Sequence, residues 1–122
     1  KIAAEYCDKV TEVPVSSYFD RTHHLDNPSD IFEQALSDSI ITNNVSTENA
    51  LLILDHTTSN TAINMPLQSL TKFAKERGML VMVDGAHGLL ANPITLNETL
   101  PVDFYLSNGH KWLSCPRGIA MM

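Results

Sequence analysis

The chain has 122 residues, 43% of them hydrophobic and 18% charged, with a formal net charge of −6. That length suits one domain with a core, and the composition is ordinary for a globular protein. The acidic balance, with no basic cluster, argues against nucleic acid or an anionic membrane surface as a partner.

The two cysteines, Cys7 and Cys115, are too few for a disulfide framework or a zinc knuckle. With no apolar run after Lys1 to mark a secretory signal, a reducing compartment, the cytoplasm, is the expectation. No stretch reaches transmembrane length. Asn44-Val45-Ser46 and Asn97-Glu98-Thr99 match the glycosylation sequon by chance on this reading. Both ends look cut: Ile2, Ala3 and Tyr6 suggest a helix already under way, and Gly118 to Met122 reads as a strand with no following element.

In chain order, Val10 to Val15 alternates like a short strand. Ser16 to Asn27 is polar and turn-rich, a loop. It holds His23-His24, a pair without a third ligand at metal spacing, so no metal site is expected. Asn27 can cap a helix with Pro28 at its first position. Ile31, Phe32, Ala35, Leu36 and Ile40 then share one helical face, and Asn43-Asn44 ends it.

Leu51 to Leu54 is a continuous apolar run, too short for a helix and typical of a strand covered on both faces. The polar loop Asp55 to Asn60 follows. Pro66 starts the next helix, with Leu67, Leu70, Phe73 and Ala74 as its buried stripe. Lys72, Lys75 and Arg77 form its wet side and last turn, and Gly78 its stop. Met79 to Val83 is another buried strand. The stretch with Leu89, Leu90 and Ile94 is irregular, broken by Pro93. Asp103 to Ser107 and Gly118 to Met122 read as two further strands.

Strands alternating with helices predict an α/β layer structure with a mostly parallel sheet flanked by helices. In such sheets ligands sit beyond the carboxyl ends of the strands. Three polar clusters fall there: Asp55 to Asn60, Asp84 to His87, and Asn108 to Lys111. A carboxylate at the end of one strand and a lysine at the end of the next can equip a pyridoxal phosphate site. The amine forms a Schiff base with the cofactor aldehyde, and the acid keeps the pyridine nitrogen protonated.

Each residue also has a plainer role. Asp84 can cap the turn after its strand. Lys111 can be a solvated lysine, and His56, His87 and His110 ordinary loop histidines. Trp112 is better read as core than as a ring stacked on a cofactor. Ser107 and Ser114 lack a nucleophile-elbow pattern.

Asp84-Gly85-Ala86-His87, then Ser107-Asn108-Gly109-His110-Lys111-Trp112-Leu113 and Pro116-Arg117-Gly118, resemble the class V aminotransferase family of fold-type I pyridoxal phosphate enzymes. Asp55-His56-Thr57-Thr58-Ser59 resembles the loop that precedes those motifs in the family. The branch it resembles is the isopenicillin N epimerase-like one, with cysteine desulfurases and selenocysteine lyases as cousins. The resemblance runs from about Thr11 to Met122, and Asp84 stands 27 positions before Lys111 (111 − 84).

The resemblance implies that Lys111 holds pyridoxal 5'-phosphate and then moves the proton at the substrate α-carbon. It implies that Asp84 faces the pyridine nitrogen and that His87 donates to the phenolic oxygen, where many relatives have glutamine. Ser59 would lie near that oxygen or the substrate carboxylate. Asn108 and His110 would help hold the phosphate, with Asn108 a departure from the serine or threonine common there. The substrate would be an amino acid or amine, and the complete enzyme a homodimer.

Cys115, four positions after Lys111, does not match the desulfurase thiol, which lies far downstream. The family's glycine-threonine phosphate loop, its ring-stacking residue and its downstream carboxylate-binding arginine have no match here, and Arg117 is not at that arginine's position. The expectation is therefore one partial large domain over residues 1–122. Its rival is a non-catalytic α/β module that keeps the fold segment, and a doubly wound nucleotide-binding domain is disfavoured because no glycine-rich loop follows a predicted strand.

Overall fold

Asn27 starts the first helix as its sequence suggests: its side-chain oxygen accepts from the Ser29 amide at 3.1 Å, with Pro28 in the first turn. In the computed structural model, which describes residues 7–15, 27–96 and 100–122, this helix, α1, spans Pro28–Thr42. Ile31, Phe32, Ala35, Leu36 and Ser39 are buried along it, while Ile40 is only half-buried. Asn43 closes the helix, its amide and side-chain nitrogen both donating to the Ser39 carbonyl. Asn44 follows with φ 50°, a left-handed conformation that asparagine tolerates. These elements belong to the first of two compact units, Lys1–Ser46 and Thr47–Met122.

The expected strand at Val10 to Val15 is not formed. The backbone there is irregular, with a tight turn in which the Val15 amide donates to the Val13 carbonyl. An alternating pattern makes a strand only where a neighbour supplies a ladder, and Pro14 has no amide to offer one. The expected opening helix, most of the loop with His23-His24, and the second sequon lie outside the described residues.

The second unit holds β1 (Leu51–Asp55), α2 (Leu67–Lys75), β2 (Leu80–Asp84), β3 (Phe104–Asn108), the single turn α3 (Gly109–Trp112) and β4 (Ala120–Met121). The sheet order is β1-β2-β3-β4. β1–β2 and β2–β3 are parallel, and β3–β4 is antiparallel. The fold is therefore the expected α/β layer with a mostly parallel sheet. Leu51 pairs with Leu80 and Asp55 with Asp84, so the ends of β1 and β2 are level.

Helix α2 packs on β2, burying Leu67, Leu70, Phe73 and Ala74 as its spacing predicts. Thr71 is also fully buried, its hydroxyl donating to the Gln68 carbonyl at 3.2 Å. Arg77 lies past the helix and folds back, its guanidinium 3.5 Å from the Phe73 ring centre. Gly78 ends the segment at φ 75°, where its lack of Cβ removes the strain.

The strands differ from expectation in one respect. Leu52, Leu54, Val81 and Val83 are buried, but Leu51, Ile53 and Leu80, on the other face, are 44%, 55% and 50% exposed. Among the described residues the sheet is covered on one face. Continuous apolar runs are what two-faced burial requires, and the exposed face carries the same residue types without a covering layer.

Asp103 ties β2 to the approach of β3. Its carboxylate accepts from the Val81 amide at 2.7 Å and from the Lys75 ammonium at 2.8 Å. The Lys75 hydrogen bond, then the Val81 amide, hold its pKa below the ordinary aspartate range. A carboxyl depressed in the folded state stabilises above its unfolded pKa, near ~4, and that gain fades as pH falls through the folded value. Asp103→Ala is expected to cost on the order of 1–3 kcal/mol at pH 7. Urea melts should show the difference shrinking below pH ~4; an undiminished difference would refute the charge-based account. No helix among the described residues is long and apolar enough to cross a membrane.

Candidate functional site

The three polar clusters do come to one edge, because parallel strands in level register end together. The chain leaves β1 at Asp55 and buries His56 at once: the His56 amide donates to the Asp84 carbonyl at 2.8 Å, and its carbonyl accepts from Met65. Between these anchors Thr57 to Asn64 forms an exposed loop. Thr57, Asn64 and Asn92 bond one another through their side chains, bracing this loop to the stretch after β2. Ser59 is exposed at the loop tip, its hydroxyl 3.4 Å from the Asn60 side chain. The structure does not bring Ser59 to the other candidate residues.

Asp84 ends β2. One carboxylate oxygen accepts from the Ala86 amide at 2.9 Å, shaping the turn in the manner of an Asx turn. The turn is held on several sides. The Gly85 amide donates to the Leu106 carbonyl at 2.6 Å, and the Ser107 hydroxyl to the Gly85 carbonyl at 3.0 Å. The Trp112 indole N–H donates to the Ala86 carbonyl at 2.9 Å. Trp112 is thus half-buried and works as a brace, consistent with its reading as a packing residue.

That brace fixes α3 against the turn. Lys111 Nζ lies 3.0 Å from His87 Nε2, within hydrogen-bond distance. Among the described residues no ion pair joins Lys111 to Asp84. His110, the next residue back, is exposed. Asn108 ends β3, and its side-chain oxygen is buried with no hydrogen-bond partner.

Asp84 and Asn108 line one shallow cavity of about 260 Å³ with Ala86, Ile53, Met82 and Leu106. His87 and Lys111 stand outside its lining, His87 next to Ala86 in the turn and Lys111 bonded to His87. The candidate residues therefore form two adjoining groups: Asp84 with Asn108 at the cavity, and His87 with Lys111 beside it. No group of three or more metal-ligating side chains occurs among the described residues.

Nothing in the sequence singles out Tyr105, near the site, and its partner His56 reads there as an ordinary loop histidine or as part of the motif at residues 55–59. Tyr105, on β3, sets its hydroxyl 3.0 Å from His56 Nδ1, and the rings meet edge to face. The available signal was the pair Gly85 and Gly88: a Cβ on Gly85 would overlap the Tyr105 ring, and one on Gly88 the His56 ring.

The chain is similar to several known proteins. The chain is 41% identical over 71 residues to an L-cysteine desulfhydrase of Arabidopsis thaliana, covering 57% of this chain and 15% of that protein. It is 38% identical over 72 residues to isopenicillin N epimerase of Amycolatopsis lactamdurans, covering 59% and 18%. The chain thus spans under a fifth of the length of these curated relatives. Among solved structures, a cysteine desulfurase of Escherichia coli matches with TM-score 0.55 and 33% identity, over 66% of this chain and 20% of that one. An alanine–glyoxylate aminotransferase of Nostoc sp. matches with TM-score 0.58 and 27% identity, over 75% and 22%. The family profile described as aminotransferase class-V matches residues 31–122, well over half of the sequence. The chain belongs to the aminotransferase class-V family.

Proposed function

We propose that this chain is the central part of the cofactor-binding domain of a pyridoxal phosphate-dependent enzyme acting on an amino acid or amine. The observation that carries the reading is the juncture of Lys111 with His87, beside a cavity lined by the carboxylate of Asp84. The unpartnered Asn108 amide oxygen supports a polar ligand in that cavity. A buried acceptor needs a donor; with the amide turned over, the same place offers a donor to a phosphate oxygen.

On this reading Lys111 would hold the cofactor through its amine, Asp84 would face the pyridine nitrogen, and His87 would hold the phenolic oxygen. Asn108 and His110 would help hold the phosphate, and Ser59, exposed on its loop and not brought to the other candidates, is given no part. The bound cofactor supplies an electron sink for the carbon next to the substrate nitrogen. Everything else is the protein's work. Asp84 maintains a positive charge across from it, and His87 orients the Lys111 amine. Lys111 itself would take and return a proton at the substrate. The relatives' names, desulfhydrase, epimerase and desulfurase, support chemistry at the α- or β-carbon of an amino acid.

The test is borohydride reduction of the complete gene product with pyridoxal phosphate, followed by peptide mass analysis. A fixed cofactor mass on Lys111 is expected. An unmodified Lys111 would leave the non-catalytic α/β module as the better account.

A further inference from the structure

Behind the Asp84–Gly88 turn lies a pair of polar rings to which the proposed chemistry gives no part. His56 is 7% exposed, and its Nδ1 is 3.0 Å from the Tyr105 hydroxyl. The ring centres are 6.0 Å apart and the planes cross at 77°. Burial lowers the His56 pKa below the ordinary imidazole value. Burial, and then the charge of Asp84, raise that of Tyr105. Both groups are therefore neutral at pH 7, and their hydrogen bond is between uncharged partners. With Tyr105 as donor, the imidazole keeps its own proton on Nε2.

The pair forms the wall on which the turn rests. Gly85 approaches the Tyr105 ring, and Gly88 the His56 ring, too closely for any side chain. The backbones of the same two segments hold the turn as well: His56 donates to the Asp84 carbonyl, and Leu106, next to Tyr105, accepts from Gly85. The hydrogen bond fixes the imidazole plane through its off-axis Nδ1 and pins the far end of the Tyr105 ring, and Gly88 and Gly85 sit against these two groups.

We propose that His56 and Tyr105 are positioning residues, whose bond sets the Asp84–Gly88 turn and so places the Asp84 carboxylate and the His87–Lys111 contact. The consequence for cofactor binding rests on the reading above; the positioning of His87 does not.

The variant Tyr105→Phe keeps the ring and removes one oxygen. Two quantities are compared in the complete gene product, at a temperature where circular dichroism shows both forms fully folded. The first is the pyridoxal phosphate dissociation constant, expected to rise roughly five- to tenfold on loss of one net hydrogen bond's worth of organisation. The second is the set of histidine ring 15N shifts without cofactor. Wild type should show one fixed His56 tautomer; the variant should lose it and also move the His87 shifts. A residue that served stability alone would lower the melting temperature and leave both quantities unchanged in the folded state, and that result overturns the proposal. If wild type forms no adduct at Lys111 while the variant still moves the His87 shifts, the cofactor reading fails and the positioning role stands.

Discussion

Alanine in place of Gly88 is expected to destabilise the protein by on the order of 3 kcal/mol, at the upper end of what overpacking costs. The added methyl would fall on the His56 ring, and that ring has nowhere to retreat. Its backbone is bonded on one side to Asp84 and on the other to Met65, and its Nδ1 is engaged by Tyr105. Relief would require breaking the His56–Tyr105 bond or lifting the turn off β1. Either leaves buried polar groups unpaired. Gly118 is the useful contrast. Its φ of 92° disfavours a side chain, but nothing lies within 4 Å of where the methyl would go. Gly118→Ala should therefore cost only the conformational strain, about 1–2 kcal/mol. Urea unfolding of both variants in the complete gene product measures the comparison. A Gly88→Ala variant as stable as wild type would show that the close approach of His56 is relaxed at little cost.

Lys111→Ala is expected to abolish the borohydride-fixed cofactor mass altogether, while changing stability by no more than about 0.5 kcal/mol. The two halves of that expectation have different origins. Only a primary amine can bond the aldehyde, so the chemical loss is complete. Lys111 is exposed and its recorded polar contact is with His87, so little packing is lost. Asp84→Ala should behave in the opposite sense. The amine remains, so the fixed mass on Lys111 persists. Turnover falls by on the order of 100- to 1,000-fold, the scale seen when one preorganised electrostatic group is removed from a reacting centre. The turn also loses its bond to the Ala86 amide, so a modest loss of stability accompanies the change. Mass analysis and steady-state turnover on the two variants side by side separate the roles. Equal loss of adduct in both would mean that Asp84 acts on cofactor entry and not on the chemistry.

The parts of this structure legible from sequence are those governed by near neighbours. The Asn27–Pro28 start, the α2 stripe and Gly78 each follow from contacts within a few residues. The three parallel strands are equally plain, since their apolar runs are too short for helices. What escaped depends on distant partners. Val10 to Val15 has the alternation of a strand but gains no ladder. Ile53 and Leu80 read as buried, because an apolar run looks the same whether one or two layers cover it. β4 runs antiparallel because only a short connection separates it from β3, a constraint of reach and not of residue type.

The candidate site shows the same division. Asp84 and Lys111 stood out as residues at strand ends, and the structure sets Asp84 at the end of β2 and Lys111 in the turn α3 that follows the neighbouring β3. The Lys111–His87 contact did not, since it needs the Trp112 brace to the Ala86 carbonyl. The His56–Tyr105 pair left only an indirect trace, two glycines three positions apart. Such a pair is a demand for empty space, and the residues that fill the space are far away in the chain.

The level register of β1 and β2 also bears on how quickly the sheet assembles. Leu51 finds Leu80, and Met82 finds Phe104, only after the chain closes loops of more than twenty residues. The entropy of that closure falls due before any ladder bond repays it, which makes such pairings slow. By contrast, Asn108 meets Ala120 across a short excursion, so β3 and β4 can zip early. The strand ends that carry Asp84 and His56 are then expected to come together late, after the barrier of loop closure has been crossed. In φ-value terms, Val81→Ala and Leu52→Ala should mainly hasten unfolding, leaving the refolding rate nearly unchanged. The edge that gathers the reactive side chains would thus be the last part of the sheet to become native.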